Sequence, residues 1–320
     1  MNKRIFIFMV KNAKKVFIDG SAGTTGLRIR ERLGTRQDIE IITLPDELRK
    51  DENARKQIIN EADIVFLCLP DDAARQAVAM IENDNTIVID TSTAHRTLEG
   101  WAYGFPELSD EFNNKIKNGK RIAVPGCHAS GFIALIYPLI KAGILQTDAQ
   151  LACYSITGYS GGGKKMIAEY EDEQKDKLLY SPRTYALTQQ HKHLREMKAI
   201  TGLSKEPIFV PIVDDFYSGM HVSIPLFASQ IKGSVKDIEE VYAKTYKGPI
   251  VNFTKEFDES GMVSAAKLSF KDGMEIAVLG NDDRITLNAR YDNLGKGASG
   301  AAVQCLNIIL GADTTTGLDL

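Results

Sequence analysis

Short, nearly unbroken apolar runs separated by segments of helical period dominate the first 130 residues. Val16-Phe17-Ile18, Ile39-Glu40-Ile41-Ile42, Ile64-Val65-Phe66-Leu67 and Ile87-Val88-Ile89 read as strands covered on both faces, because polar residues hardly interrupt them. Between them, residues 27–33 and 71–78 carry the mixed spacing of amphipathic helices. This alternation predicts an α/β fold, a Rossmann-type doubly wound parallel sheet that binds ligands beyond the carboxyl ends of its strands. Residues 132–140 are almost wholly apolar and predict a buried helix opened by Ser130 or Gly131. From Leu151 the pattern changes: residues 151–157, 209–212 and 221–226 read as strands of a mixed or antiparallel sheet in a second, α+β domain. The expected division is 1–126 for nucleotide binding, completed by a C-terminal helix within 293–320, and 127–292 for catalysis and self-association.

Composition narrows the class of partner. The 320 residues are 43% hydrophobic, with 39 basic against 42 acidic side chains and no long basic run, so neither nucleic acid nor a membrane surface is the expected main partner. No apolar segment approaches the ~20 residues of a membrane span. Cys68, Cys127, Cys153 and Cys305 form no Cys-x-x-Cys pair, which suggests neither a zinc cluster nor a disulfide framework and fits a reducing, cytoplasmic setting. Residues 1–10 begin like a signal peptide, with Lys3 and Arg4 before an apolar run, but no small-residue cleavage site follows. They read as an extra N-terminal piece, a pairing strand or an upstream start.

The chemistry lies at the strand ends. Between the first strand and first helix stands Gly20-Ser21-Ala22-Gly23-Thr24-Thr25-Gly26, whose glycines let the backbone approach a pyrophosphate. No acid closes the second strand, and Arg49 and Lys50 beyond Asp46 and Glu47 favour a 2′-phosphate, hence NADP over NAD. Leu69-Pro70-Asp71 and 91–96 end the next strands, where Ser92, Thr93 and Arg96 are placed to hold an anionic or carbonyl group. Cys127, in Pro125-Gly126-Cys127, falls at or just before a helix start, where free amides and the dipole favour the thiolate; Cys68 reads as core. Ser160 and Gly161, within the glycines of 158–163 and ahead of Lys164, offer backbone amides to a phosphate. His191 and His193 would face the same way on a strand and opposite ways on a helix, so one of them is expected to enter the site. The sequence offers no third ligand at metal-site spacing.

The ordered set Gly20-x-x-Gly23-x-x-Gly26, Leu67-Cys68-Leu69-Pro70-Asp71, Asp90-Thr91-Ser92-Thr93-Ala94, Tyr103-Gly104-Phe105-Pro106-Glu107, Pro125-Gly126-Cys127, 155–164, Gln190-His191-Lys192-His193 and 292–300 resembles the short (type 2) form of N-acetyl-gamma-glutamyl-phosphate reductase, over residues 14–311. The resemblance implies NADPH-dependent reduction of N-acetyl-L-glutamyl 5-phosphate to the 5-semialdehyde through a cysteine thioester, in arginine biosynthesis, by a homodimer or homotetramer. It makes Cys127 the nucleophile and His191 the acid-base group. Arg96, His193, Ser160 and Gly161 would then meet substrate. Gly20, Ser21, Gly23, Thr24, Thr25, Gly26, Leu69, Pro70, Ser92, Asn293 and Gly297 would meet the cofactor. Two departures stand out: His128-Ala129-Ser130 where the family has Tyr-Pro-Thr, and Arg195 where it has proline before Glu-Met. A related acyl-phosphate reductase, such as aspartate-semialdehyde dehydrogenase, and a non-catalytic nucleotide-sensing Rossmann protein are the alternative readings.

Overall fold

The computed structural model describes residues 13–320; the pairing strand considered for residues 1–10 lies outside them. Six strands, β1 (Lys14–Asp19), β2 (Ile39–Ile42), β3 (Ile64–Leu67), β4 (Ile87–Asp90), β5 (Ala102–Tyr103) and β6 (Arg121–Ala123), form a parallel sheet in the order β2-β1-β3-β4-β6-β5. Helices α1 (Thr24–Leu33), α2 (Glu52–Glu61), α3 (Asp71–Ala79) and α4 (Asp110–Asn118) follow within this half. The order reverses at β1, which pairs with β2 on one side and β3 on the other. The connections after β1 and β3 therefore run to opposite faces of the sheet, α1 to one and α3 to the other, the switch point at which such sheets bind ligands.

The chain then enters α5 (Cys127–Lys141). Beyond it, β7 (Ala152–Gly158), β8 (Arg183–Thr184), β9 (Ile208–Asp214), β10 (Met220–Phe227), β11 (Val251–Phe253), β12 (Met274–Gly280) and β13 (Arg284–Tyr291) build a seven-stranded mixed sheet, ordered β11-β12-β13-β10-β7-β9-β8. Helices α6 (Gly163–Glu171), α7 (His193–Thr201) and α8 (Val235–Thr245) belong to this half, and α9 (Gly300–Leu310) follows it. The last helix returns to the first sheet, where Val303, Cys305 and Leu306 pack with Ile29 of α1, Ile116 of α4 and Val16 of β1. Ile58, Ile59, Ala74 and Ala77 of α2 and α3 cover the other face. Coverage on both sides is why β3 is apolar at every position.

Helix α5 starts three to four residues earlier than its apolar run predicts. Gly126 is its N-cap, and the Ser130 amide donates to the Gly126 carbonyl at 2.8 Å, so Ser130 lies inside the first turn. The helix is buried along nearly its whole length against the second sheet and α7. Pro138 lacks the amide that would bond Ala134, and the Tyr246 hydroxyl donates to that carbonyl instead at 2.7 Å. The Tyr291 hydroxyl enters the first turn, accepting from the Gly131 amide at 3.0 Å and donating to the Cys127 carbonyl at 2.5 Å. The Tyr242 hydroxyl donates likewise to the Leu135 carbonyl at 2.6 Å, so three tyrosines clamp the helix by its peptide groups.

Candidate active site

A cleft of about 810 Å³ opens between the two sheets' ends, and most of the singled-out residues line it. Gly23, Thr24, Thr25, Leu69, Pro70, Ser92, Arg96, Cys127, Ser160, Gly161, His191, His193, Asn293 and Gly297 are all on its walls. Gly20 and Ser21 instead line a neighbouring cavity of about 490 Å³, with Thr43, Leu44, Asp46, Arg30 and Arg49. Gly26 lines neither. A Cβ there would stand 2.5 Å from the Gly20 carbonyl oxygen, so this glycine lets α1 pack against the loop rather than meet a ligand.

The glycine loop fits a dinucleotide on its own geometry. Gly20 has φ +87°, and a Cβ would lie 2.3 Å from the Cys68 carbonyl oxygen, so the β1 and β3 loops touch through backbone alone. Gly23 caps α1, whose first amides face the cleft beside Thr24 and Thr25. In the neighbouring cavity Arg49 pairs with Asp46 at 2.6 Å, and exposed Arg30 also lines it.

Cys127 is the first residue of α5 and only partly exposed. Its thiol was expected below the ordinary cysteine range, and it lies above it. Burial pushes it up to about 11, against the opposing pull of the Arg96 guanidinium and the amides of His128 and Cys127. Desolvation outweighs the helix start because the sulfur sits at the bottom of a cleft. The free protein therefore holds a thiol at pH 7, and its thiolate fraction rises about tenfold per pH unit. Alkylation of Cys127 by iodoacetamide, followed by mass spectrometry, is expected to accelerate with a logarithmic slope near one from pH 7 to pH 10. A rate that is already level at pH 7 would show a thiolate formed at neutrality.

Glu196, a residue that sequence reading passed over, organises this end of the cleft. Buried on α7, it accepts from the Gly126 amide at 2.8 Å, the Tyr103 hydroxyl at 2.8 Å and Arg96 Nη1 at 3.0 Å. Arg96 also donates Nε to the Val124 carbonyl and Nη2 to the Thr91 carbonyl, so three protein acceptors fix it. His193 Nε2 and Arg96 Nη1 close over Gly126, where a Cβ would come within 2.4 Å of both. The signal in the sequence was the buried helical spacing His193, Glu196, Met197, with an acid at an apolar position.

Both paired imidazoles reach the cleft. His191 precedes α7 and His193 begins it; their rings meet edge-on, 4.6 Å apart between centroids. The His193 amide donates to His191 Nδ1 at 3.2 Å, which leaves Nε2 to carry the proton of the neutral ring. Burial, then Lys192 and Arg96, lower His191 to about 4. His193 is also held neutral, chiefly by burial, and its buried Nδ1 has no hydrogen-bond partner among the described residues. Asn293 donates to Ser160 Oγ at 3.0 Å and accepts from the Gly219 amide, tying the 158–163 turn to the chain after β13. Gly297 lies against the nucleophile, since a Cβ there would be 3.1 Å from Cys127 Cβ. Tyr185 and Lys192, also on the cleft wall, were not foreseen.

A dinucleotide-type glycine loop and a cysteine at a helix start, facing one cleft between a parallel and a mixed sheet, define a semialdehyde dehydrogenase. Residues 45–116 match the family model described as "Semialdehyde dehydrogenase, NAD binding domain", and 127–293 match "Semialdehyde dehydrogenase, dimerisation domain". The fold resembles aspartate semialdehyde dehydrogenase II of Vibrio cholerae complexed with ASA, with a TM-score of 0.71 at 16% identity, covering 93% of this chain and 98% of that one. It also resembles the Candida albicans enzyme with NADP, with a TM-score of 0.63 at 15% identity, covering 94% and 99%. Sequence relatives are nearer: N-acetyl-gamma-glutamyl-phosphate reductase of a Chelativorans species is 45% identical over 306 residues, 92% of this chain and 98% of the relative. That of Brucella ovis is 44% identical over 93% and 99%. The chain belongs to the N-acetyl-gamma-glutamyl-phosphate reductase family.

Proposed function

We propose that this chain reduces N-acetyl-L-glutamyl 5-phosphate to N-acetyl-L-glutamate 5-semialdehyde with NADPH, releasing phosphate, as a step of arginine biosynthesis. The observation that carries the reading is that Cys127, Gly23 to Thr25 of the glycine loop and both imidazoles line one cleft in a chain 45% identical to such a reductase. On this reading residues up to 126, with the C-terminal helix, hold the cofactor, and 127–292 hold the acyl group. Gly20, Ser21, Gly23, Thr24 and Thr25 would seat the pyrophosphate end, and Leu69, Pro70, Ser92, Asn293 and Gly297 would flank the nicotinamide. NADPH, when bound, supplies the hydride that reduces the thioester carbon.

The chain's own residues do the rest. Cys127 sulfur attacks the acyl carbon, the carbon–oxygen bond to phosphate breaks, and the thiol proton leaves on the phosphate, whose last proton is held more tightly than this thiol's. Arg96 places its guanidinium beside the reacting groups, and Ser160 with Gly161 receives the phosphate. His191 takes the acid-base position, with Nε2–H donating to the oxygen that becomes negative as the thioester is reduced. Collapse then frees the aldehyde, and the departing sulfur takes up one proton from solvent to return to the thiol. His193 supports this from the buried side.

The decisive assay runs the reaction backwards, following phosphate-dependent NADP reduction with N-acetylglutamate semialdehyde beside aspartate semialdehyde, before and after alkylation. Preference for the acetylated aldehyde, lost on alkylation, is expected. Turnover of the other aldehyde alone would move the substrate, and turnover of neither would refute the enzyme reading. Arg30→Ala is expected to raise KM for NADPH about tenfold while changing KM for NADH by less than about twofold, because Arg30 is an exposed cation on the ribose-side cavity.

Self-association follows from the second sheet. The strand face turned away from α5 exposes Tyr154, Ile208 and Phe227, and Ile156, Val210 and Ile212 share that face in register on β7 and β9. We assign this apolar face to a homodimer, which two glutamates at Ile208 and Val210 should convert to monomer in sedimentation runs. A nucleophilic thiol and four unpaired cysteines suit the cytoplasm.

A further inference from the structure

The imidazole of His128, which stands where the family usually has tyrosine, is not an isolated buried ring. Its Nδ1 lies 2.6 Å from Ser155 Oγ and its Nε2 lies 2.6 Å from the Tyr185 hydroxyl. Ser155 is fully buried on β7, His128 is nearly so, and Tyr185 reaches the cleft wall. Hydrogen-bond accounting fixes which way these bonds run. The Ser155 hydroxyl has His128 as its side-chain partner, and a buried O–H left without an acceptor costs about 1–3 kcal/mol. Ser155 therefore donates to Nδ1, and the ring carries its proton on Nε2. Nε2–H then donates to the Tyr185 oxygen, and the Tyr185 hydroxyl proton has the cleft in front of it. Burial lowers His128 to about 3, so it does not become a cation that would bond both hydroxyls as a donor. Burial first, and Cys127 once it ionises, hold Tyr185 well above the ordinary tyrosine range, so its proton stays.

We propose that His128 is a positioning residue which, through the relay Ser155 to His128 to Tyr185, presents the Tyr185 hydroxyl as a fixed hydrogen-bond donor to a carbonyl oxygen of the bound acyl substrate. The inference rests on the acyl-phosphate reading of the cleft and adds a substrate contact to it. A donor there favours an uncharged oxygen acceptor and disfavours a free ammonium, which makes Tyr185 a determinant of the N-acylated substrate class.

The test is a double-mutant cycle with Tyr185→Phe and His128→Asn, joined by His128→Gln. Asparagine reaches the Nδ1 position and keeps Ser155 paired, whereas glutamine places an N–H where Nε2–H was. Tyr185→Phe and His128→Asn are each expected to raise KM for the semialdehyde about tenfold with kcat nearly unchanged and NADP affinity intact. Adding His128→Asn to Tyr185→Phe should then cost less than about twofold more. His128→Gln should recover most of the loss seen with His128→Asn. Equal loss from His128→Asn in both backgrounds, or a fall in kcat alone, would overturn the proposal. Nitrogen-15 spectra of the histidine-labelled wild-type protein need no substrate: a neutral Nε2–H tautomer for His128 from pH 6 to pH 8 is expected, and an Nδ1–H tautomer or a titrating ring would sink it. Wild-type turnover reports on the acyl-phosphate reading and the tautomer reports on the relay, so the two failures are distinguishable.

Discussion

Cys127→Ser is expected to lower phosphate-dependent NADP reduction by at least about 10⁴-fold while leaving the dissociation constant for NADPH within about twofold. Serine fits the space, since Cys127 touches Gly297 and α5 through Cβ and backbone, which the substitution retains. What it removes is the nucleophile. An alcohol at the bottom of this cleft meets the same desolvation that already lifts the thiol to about 11, from a much higher starting point. The cofactor's expected pyrophosphate contacts lie on the β1 loop, and beside the expected nicotinamide contact Gly297 the serine keeps the Cβ that cysteine presents. Fluorescence titration with NADPH beside steady-state assay separates the two quantities. Residual turnover above about one per cent would rule out the thioester route.

Glu196→Ala should be the most destabilising single change in the site, lowering the unfolding free energy by about 3–5 kcal/mol in urea titration. The alanine strands three buried donors together: Arg96 Nη1, the Tyr103 hydroxyl and the Gly126 amide. Arg96 keeps its two backbone acceptors but becomes a buried cation without its counter-charge. Activity should fall further than stability alone predicts, because Gly126 N–H is the N-cap amide that aims Cys127. Glu196→Gln keeps volume and one acceptor oxygen, and it should lie between the two proteins in both measurements. A wild-type midpoint in Glu196→Ala would mean that water replaces the carboxylate freely.

The contrast between the two acids and bases of the site explains what the sequence makes legible. Gly20, Gly23, Cys127 and the His191/His193 pair announce themselves by local grammar: a glycine loop between strand and helix, a cysteine before an apolar run, two imidazoles two apart. The alternation of β1 to β6 with α1 to α4 was equally readable, because a strand buried on both faces cannot disguise its composition. Glu196 and Tyr185 were hidden for a different reason. Each matters through partners 57 to 100 residues away, Arg96 and Tyr103 for one, His128 for the other. Tyr185 also lies on a turn that no periodicity marks, set by the β8–β9 pairing and by Gln189 bonding both backbone groups of Phe209. The thiol's acidity was misjudged for the same reason: the helix start is written locally, the desolvation around it is not.

The three tyrosines that reach α5 hold peptide groups, not side chains. Tyr291 holds the Cys127 carbonyl and the Gly131 amide, Tyr246 holds the Ala134 carbonyl and Tyr242 the Leu135 carbonyl. Such a grip is blind to which side chains the intervening positions carry. The three residues after the nucleophile are thereby released from the task of placing it, and His128-Ala129-Ser130 can replace Tyr-Pro-Thr without moving the sulfur. Sequence drift in that turn becomes a means of changing what the cleft recognises while the reacting atom stays where it was.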